Sequence, residues 1–213
     1  MTRKERAQLS IKALKELYPD VKCSLNYSTP LEMLLATQMS AQCTDAGVNR
    51  VTSTLFKKYT SAEDFANADL DELQNDIRSI GLYRNKSKNI IACCKKIIQC
   101  YDGQVPGTME ELLTLPGTGR KTANLILGEI FEKPAVVVDT HCMRLSKRIG
   151  LTSSDTPEKI EKDLQKLIPP DEQLDFCHRL VYHGRAICSS RNPKCSLCTL
   201  NEFCKSNTQK TGK

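Results

Sequence analysis

"LPGTGRKTANLIL", residues 115–127, decides how the chain is read. Gly117 and Gly119 flank Thr118, Arg120 and Lys121 follow at once, and an apolar pattern of helical period comes next. A helical segment, "TMEELLTL", stands in front. A phosphate loop would place lysine directly after glycine and a strand before the turn. Here Arg120 separates Gly119 from Lys121, and a helix precedes. The string reads instead as a helix–hairpin–helix at about residues 108–128. Its glycines let the backbone approach a phosphate, and the N–H groups at the start of the second helix point at it. Such contacts hold a DNA backbone without reading bases. A bare Gly-x-Gly is also an ordinary turn between helices; Leu115-Pro116 before it and Lys121-Thr122-Ala123 after it make this string more specific.

Outward from the hairpin, nearly every periodic segment is helical. Leu70, Leu73, Ile77 and Ile80 form one apolar stripe, closed by Gly81. Val48, Val51, Leu55, Phe56 and Tyr59 form another. Ile160, Leu164, Leu167 and Ile168 follow Thr156-Pro157, a cap with proline at the first helical position. Thr29 with Glu32, and Thr108 with Glu111, have capping-box spacing. The only strand-like run, "AVVV" at 135–138, is too isolated to make a sheet. The fold class is all-α, with about ten short helices. The pattern changes near Glu132-Lys133-Pro134, and the polar end of the chain, 207–213, reads as a disordered tail.

With 213 residues and 39% apolar content the chain can bury a core, yet aromatics are 5% and tryptophan is absent, so that core is aliphatic. No apolar run reaches the roughly 18 residues of a membrane span, and "MTRKERAQLS" lacks the apolar segment of a signal peptide. The expectation is a cytoplasmic protein with no membrane partner. Lys plus Arg number 31 against 25 Asp plus Glu, a formal +6. That mild basic excess permits a polyanionic partner without proving one.

Asp139 ends the "AVVV" run and, from its spacing before Thr140 and His141, reads as a helix N-cap. Eleven cysteines are the compositional anomaly. Seven are scattered and read as small apolar residues. The other four, Cys188, Cys195, Cys198 and Cys204, have the spacing Cys-x6-Cys-x2-Cys-x5-Cys. Disulfides do not suit the cytosol, and this spacing alone leaves zinc and an iron–sulfur cluster equally open.

"LPGTGRKTAN", then "VVVDTHCMRLSKRIG", then this four-cysteine loop resemble the endonuclease III family of helix–hairpin–helix DNA glycosylases. The resemblance runs from "ATQMSAQCTD" at 36–45 through Cys204. It implies a two-lobed fold with an iron–sulfur loop: residues 22–133 as one helical lobe, and 1–21 with 134–206 as the other. It implies a monomeric base-excision-repair N-glycosylase removing oxidised pyrimidines from double-stranded DNA, with lyase cleavage at abasic sites by β-elimination. A lesion preference for mismatched thymine or pyrimidine dimers, and a non-catalytic DNA-binding module, are the alternatives. Adenine-mismatch relatives generally lack the lysine.

In that family pattern Lys121 is the Schiff-base nucleophile. An ordinary lysine amine is neutral about once in 2,500 at pH 7, so a nucleophilic amine needs positive surroundings and partial desolvation. A helix N-terminus and Arg120 offer the first. Asp139 matches the essential carboxylate, which stabilises positive charge developing on the deoxyribose. The base must leave the stack at a cost of a few kcal/mol, and Gln42 and Leu82 match the positions that fill the hole. Gly117, Gly119, Arg120, Thr140 and His141 are expected to contact DNA. Asp45 lies near the site in relatives, with a less defined role. The four cysteines match the ligands of a [4Fe–4S] cluster, which would lower the formal charge to about +4. Arg191 and Lys194, between the first two of them, are candidate phosphate contacts.

Overall fold

The computed structural model describes residues 1–207, and among them every regular element is helical. The all-α expectation is met. In chain order the α-helices are α1 (Arg3–Leu17), α2 (Pro30–Ser40), α3 (Asp45–Lys58), α4 (Ala62–Ala66), α5 (Leu70–Asp76) and α6 (Tyr83–Tyr101). There follow α7 (Met109–Thr114), α8 (Arg120–Glu129), α9 (Thr140–Ile149), α10 (Pro157–Leu167) and α11 (Gln173–Ala186), with short 3₁₀ turns at Pro170–Glu172 and Cys195–Leu197. The "AVVV" run is buried and belongs to no sheet. Of the tail expected at 207–213, residues 208–213 lie outside the described residues. Asn207 is buried, and its amide donates to the Asn201 carbonyl at 3.1 Å.

The chain divides into two compact units. One, Cys23–Glu132, is built on α2, whose residues Met33 to Met39 are all buried. A helix apolar all round must be covered on several sides. Here α3, α6 and α8 cover it, while α4 and α5 pack on α6. The other unit joins Met1–Lys22 to the chain from Lys133 onward. In it α11 packs on α1 and α9, and α10 packs on the same two helices. Arg179 of α11 is buried there, with its guanidinium bound to Glu172, Asp175 and the Tyr18 carbonyl at 2.9, 3.1 and 3.2 Å. A buried charge needs such full pairing.

Three local expectations differ in detail. The stripe from Leu70 to Ile80 is buried at Leu73, Ile77 and Ile80, but α5 stops at Asp76 and a turn from Ile77 to Ile80 carries the last contacts inward. Thr156 precedes α10 without a side-chain capping bond. Thr29 and Thr108 both accept from the N–H three residues on, but Glu32 reaches back to the Ser28 N–H and Glu111 to the Thr108 hydroxyl. The complete reciprocal boxes are Thr2 with Glu5 and Ser61 with Asp64.

Candidate active site

Within the unit Cys23–Glu132, α7 ends at Thr114 and α8 starts at Arg120, so the five residues 115–119 make the hairpin turn. Gly117 is left-handed at φ +78°, and a Cβ there would meet Asn89 Cβ at 3.0 Å and Gln38 Cδ at 3.3 Å. Glycine is required at that point by both conformation and packing. At Gly119, φ is −95° and a Cβ would touch nothing within 4 Å. The space over Gly119 is therefore open to a molecule from outside. Gly119 brings no side-chain cap to α8, and Gly119, Arg120 and Lys121 are all exposed. The positive end of α8 thus faces outward beside two cationic side chains. The desolvation expected around Lys121 is not supplied by the chain itself, since this residue is exposed.

Gln38, on α2, is a residue that sequence reasoning missed. Its buried amide donates to the Pro116 carbonyl at 3.1 Å and to the Thr118 hydroxyl at 3.0 Å, pinning the turn from beneath. Asp45 is the first residue of α3. The Cys23 thiol, pushed up to about 11 mainly by burial, feels the carboxylates of Glu129 and Asp45 and the ammonium of Lys121.

Gln42 and Leu82 are two of the four non-glycine residues in the left-handed region among the described residues, at φ 56° and 61°; the others are Asp102 and Glu132. Holding such residues there costs about 1–3 kcal/mol each, and strain of this kind clusters at functional sites. The Gln42 and Leu82 side chains are exposed, Leu82 by 54%. Their turns adjoin, since a Cβ on Gly81 would come within 3.3 Å of the Gln42 carbonyl.

In the other unit Asp139 is the N-cap of α9, accepting from the Cys142 N–H at 2.7 Å. Thr140 is exposed in the first turn. His141 is half-buried: its Nδ1 lies 3.1 Å from Arg144 Nη2, and a Cβ on Gly184 would strike it at 2.5 Å. Glycine at 184 is what lets α9 and α11 approach so closely. The cap allows the capping role of Asp139 to be tested apart from the catalytic one expected of it. Asparagine caps about as well as aspartate, whereas alanine costs about 1 kcal/mol. Asp139→Asn is expected to keep the thermal midpoint and lose about 10²–10³-fold in base excision. Asp139→Ala should show the same loss plus a drop of about 2–4 °C in calorimetry. Unimpaired excision by Asp139→Asn would limit this carboxylate to capping.

Cys188, Cys195, Cys198 and Cys204 are half-buried free thiols that line one cavity of about 350 Å³. Among the described residues no three His, Cys, Asp or Glu side chains converge as ligands of a single ion. Positive and donor groups surround the sulfurs. Arg148 of α9 donates to Cys188 Sγ at 3.4 Å and to the Ser189 and Ser190 carbonyls at 2.6 Å each. Arg144 holds the Cys188 carbonyl at 3.0 Å. Arg191 and Lys194 are exposed on the cavity wall. His183 of α11 lies with Nε2 at 3.3 Å from Cys198 Sγ and Nδ1 at 3.4 Å from the Tyr18 hydroxyl. Burial pushes its imidazole down to about 4, so the ring is neutral at pH 7. A Tyr18 O–H donating to Nδ1 leaves the Nε2 proton for the sulfur.

Residues 35–170 match the HhH-GPD superfamily base excision DNA repair proteins, which sets the class. Endonuclease III of Synechocystis sp. is 50% identical over 96% of this chain and 94% of its own. Endonuclease III of Bacillus subtilis is 44% identical over 94% and 92%. A solved structure of a trapped endonuclease III–DNA covalent intermediate superposes with a TM-score of 0.94 at 42% identity, covering 99% of each chain. The chain belongs to the endonuclease III family, enzymes of base excision repair that act as DNA glycosylases and lyases.

Proposed function

We propose that the protein removes oxidised pyrimidines from double-stranded DNA and then nicks the strand at the abasic sugar, with Lys121 as nucleophile and Asp139 as the electrostatic carboxylate. The observation that carries this reading is the exposed amine of Lys121 in the first turn of α8, two residues beyond the open space over Gly119. Lys121 Nζ attacks C1′, the glycosidic bond breaks, and the base leaves. The nitrogen gives up one proton, the C1′–O4′ bond breaks with O4′ taking a proton, and a protonated imine forms at C1′. A base then takes a proton from C2′, the C3′–O bond breaks, and the 3′ phosphate departs; water releases the lysine. Asp139 stabilises positive charge on the sugar as the base leaves. The covalent DNA intermediate of the endonuclease III structure supports this route.

In the same reading Gly117, Gly119 and Arg120 hold one stretch of phosphate backbone, and Thr140 and His141 another. Gln42 and Leu82 enter the duplex as the lesion is extruded. The four thiolates would hold a [4Fe–4S] cluster, which contributes folding free energy to the loop rather than bond chemistry. An all-sulfur donor set around one cavity, with Arg148 and His183 directed at two of the sulfurs, fits such a cluster, and the family pattern favours it over zinc. The protein would act as a monomer in the cytoplasm; no helix among the described residues is long and apolar enough to cross a membrane.

Single-turnover excision on matched duplexes, each carrying one lesion, tests the substrate class. Thymine glycol is expected to be excised at least about tenfold faster than mismatched thymine or a pyrimidine dimer. Preference for either of the others would overturn the assignment to oxidised pyrimidines.

A further inference from the structure

Lys86 is the only buried lysine among the described residues, 6% exposed. It lies one turn into α6, four residues after Leu82, whose carbonyl accepts the Lys86 N–H at 3.1 Å. Its ammonium crosses to the end of α2 and donates to the Met39 carbonyl at 2.8 Å and the Ala41 carbonyl at 2.6 Å. Ala41 is the C-cap of α2, and Gln42 is the next residue. A cation on the last carbonyls of a helix is favourable, but an exposed lysine could do that without the several kcal/mol that burying an ammonium costs. Burial accordingly lowers the pKa of Lys86, with the Cys43 thiol acting the other way. What the buried placement adds is a rigid link between two strained turns: one carries Leu82 at φ 61°, the other Gln42 at φ 56°.

The geometry points to Lys86 as a positioning residue for base extrusion: by tying the carbonyls before Gln42 to the helix turn after Leu82, it holds the two exposed side chains as one wedge. This rests on the reading that Gln42 and Leu82 enter the duplex. Lys86 is buried with its ammonium on two carbonyls, so its proposed role is to position the wedge rather than to contact DNA or the reacting atoms. Its loss should therefore affect the step in which a stacked base leaves the helix, and spare cleavage at a site with no base to extrude.

The test compares excision of a stacked thymine glycol with nicking at a preformed abasic site. Lys86→Met keeps the stem and removes the ammonium. It is expected to slow excision about 10–100-fold and nicking by less than about threefold. In a Gln42→Ala background it should add little, since both changes disable one device. Lys86→Arg, which keeps charge and donors on a broader head, guards against loss of folding and should slow excision selectively by about 3–10-fold. Equal losses on both substrates, a full further loss on top of Gln42→Ala, or wild-type excision by both Lys86 variants would overturn the proposal. If Gln42→Ala and Leu82→Ala also leave excision untouched, the wedge reading itself has failed. If they slow excision and the Lys86 variants do not, only the role of Lys86 has.

Discussion

Lys121→Gln is expected to lower strand nicking at a preformed abasic site by about 10⁴-fold or more while the protein stays folded and bound to DNA. Glutamine has no nucleophilic amine, so no imine forms and the β-elimination it enables is lost. Removal of a nucleophile from other enzymes gives losses of this order. The fold should not respond, because Lys121 is exposed on the outer face of α8 and surface changes usually stay within about 0.5 kcal/mol. Affinity for lesion duplex should fall less than about tenfold, since the glycine turn, open over Gly119, and the adjacent Arg120 remain. Calorimetry and filter binding beside the nicking assay separate these effects. A variant that binds and nicks like the wild type would remove Lys121 from the chemistry.

Cys198→Ser has the second-largest expected effect. The wild-type protein should be yellow-brown with about four irons per chain and no stoichiometric zinc. A serine hydroxyl is a poor substitute for a soft thiolate, so the variant should lose most of its iron. Ligand binding and folding are linked in such loops, so solubility should fall with the iron. The structure gives this coupling a path: the loop that carries the sulfurs is held to α9 through Arg144 and Arg148, and Cys204 Sγ lies 3.3 Å from the Arg148 carbonyl. A colourless wild-type protein with one bound zinc would contradict the cluster assignment.

The helices and the hairpin were legible because they are local. Apolar period and capping letters lie within a few residues of one another, and the glycines at 117 and 119 announce a turn by composition. Even there, capping had a limit: Ser61 pairs with an aspartate rather than the glutamate or glutamine of the usual box, and Glu32 chose Ser28 over the expected Thr29. The residues that hold the site in place were not legible. Gln38 finds Pro116 across 78 positions, Lys86 finds Ala41 across 45, and Arg148 finds Ser189 across 41. Each partner is a backbone carbonyl, which every residue type carries, so no letter at the far end marks the contact. The left-handed backbone at Gln42 and Leu82 was hidden for a related reason. Residues of this kind are not marked for that conformation; only surrounding packing imposes it. Asp139 lies between these cases: its cap was readable from spacing, while the catalytic part proposed for it came from the family pattern alone.

Borohydride trapping on lesion-containing duplex tests the central claim most directly. If Lys121 Nζ attacks C1′, reduction converts the imine to a stable amine and leaves protein joined to DNA. The cross-link should run as a single slow band on denaturing electrophoresis, and peptide mapping should place the DNA adduct on Lys121. It should be absent in Lys121→Gln. Undiminished trapping in that variant, no trapping in the wild type, or an adduct mapped to another residue would contradict the account.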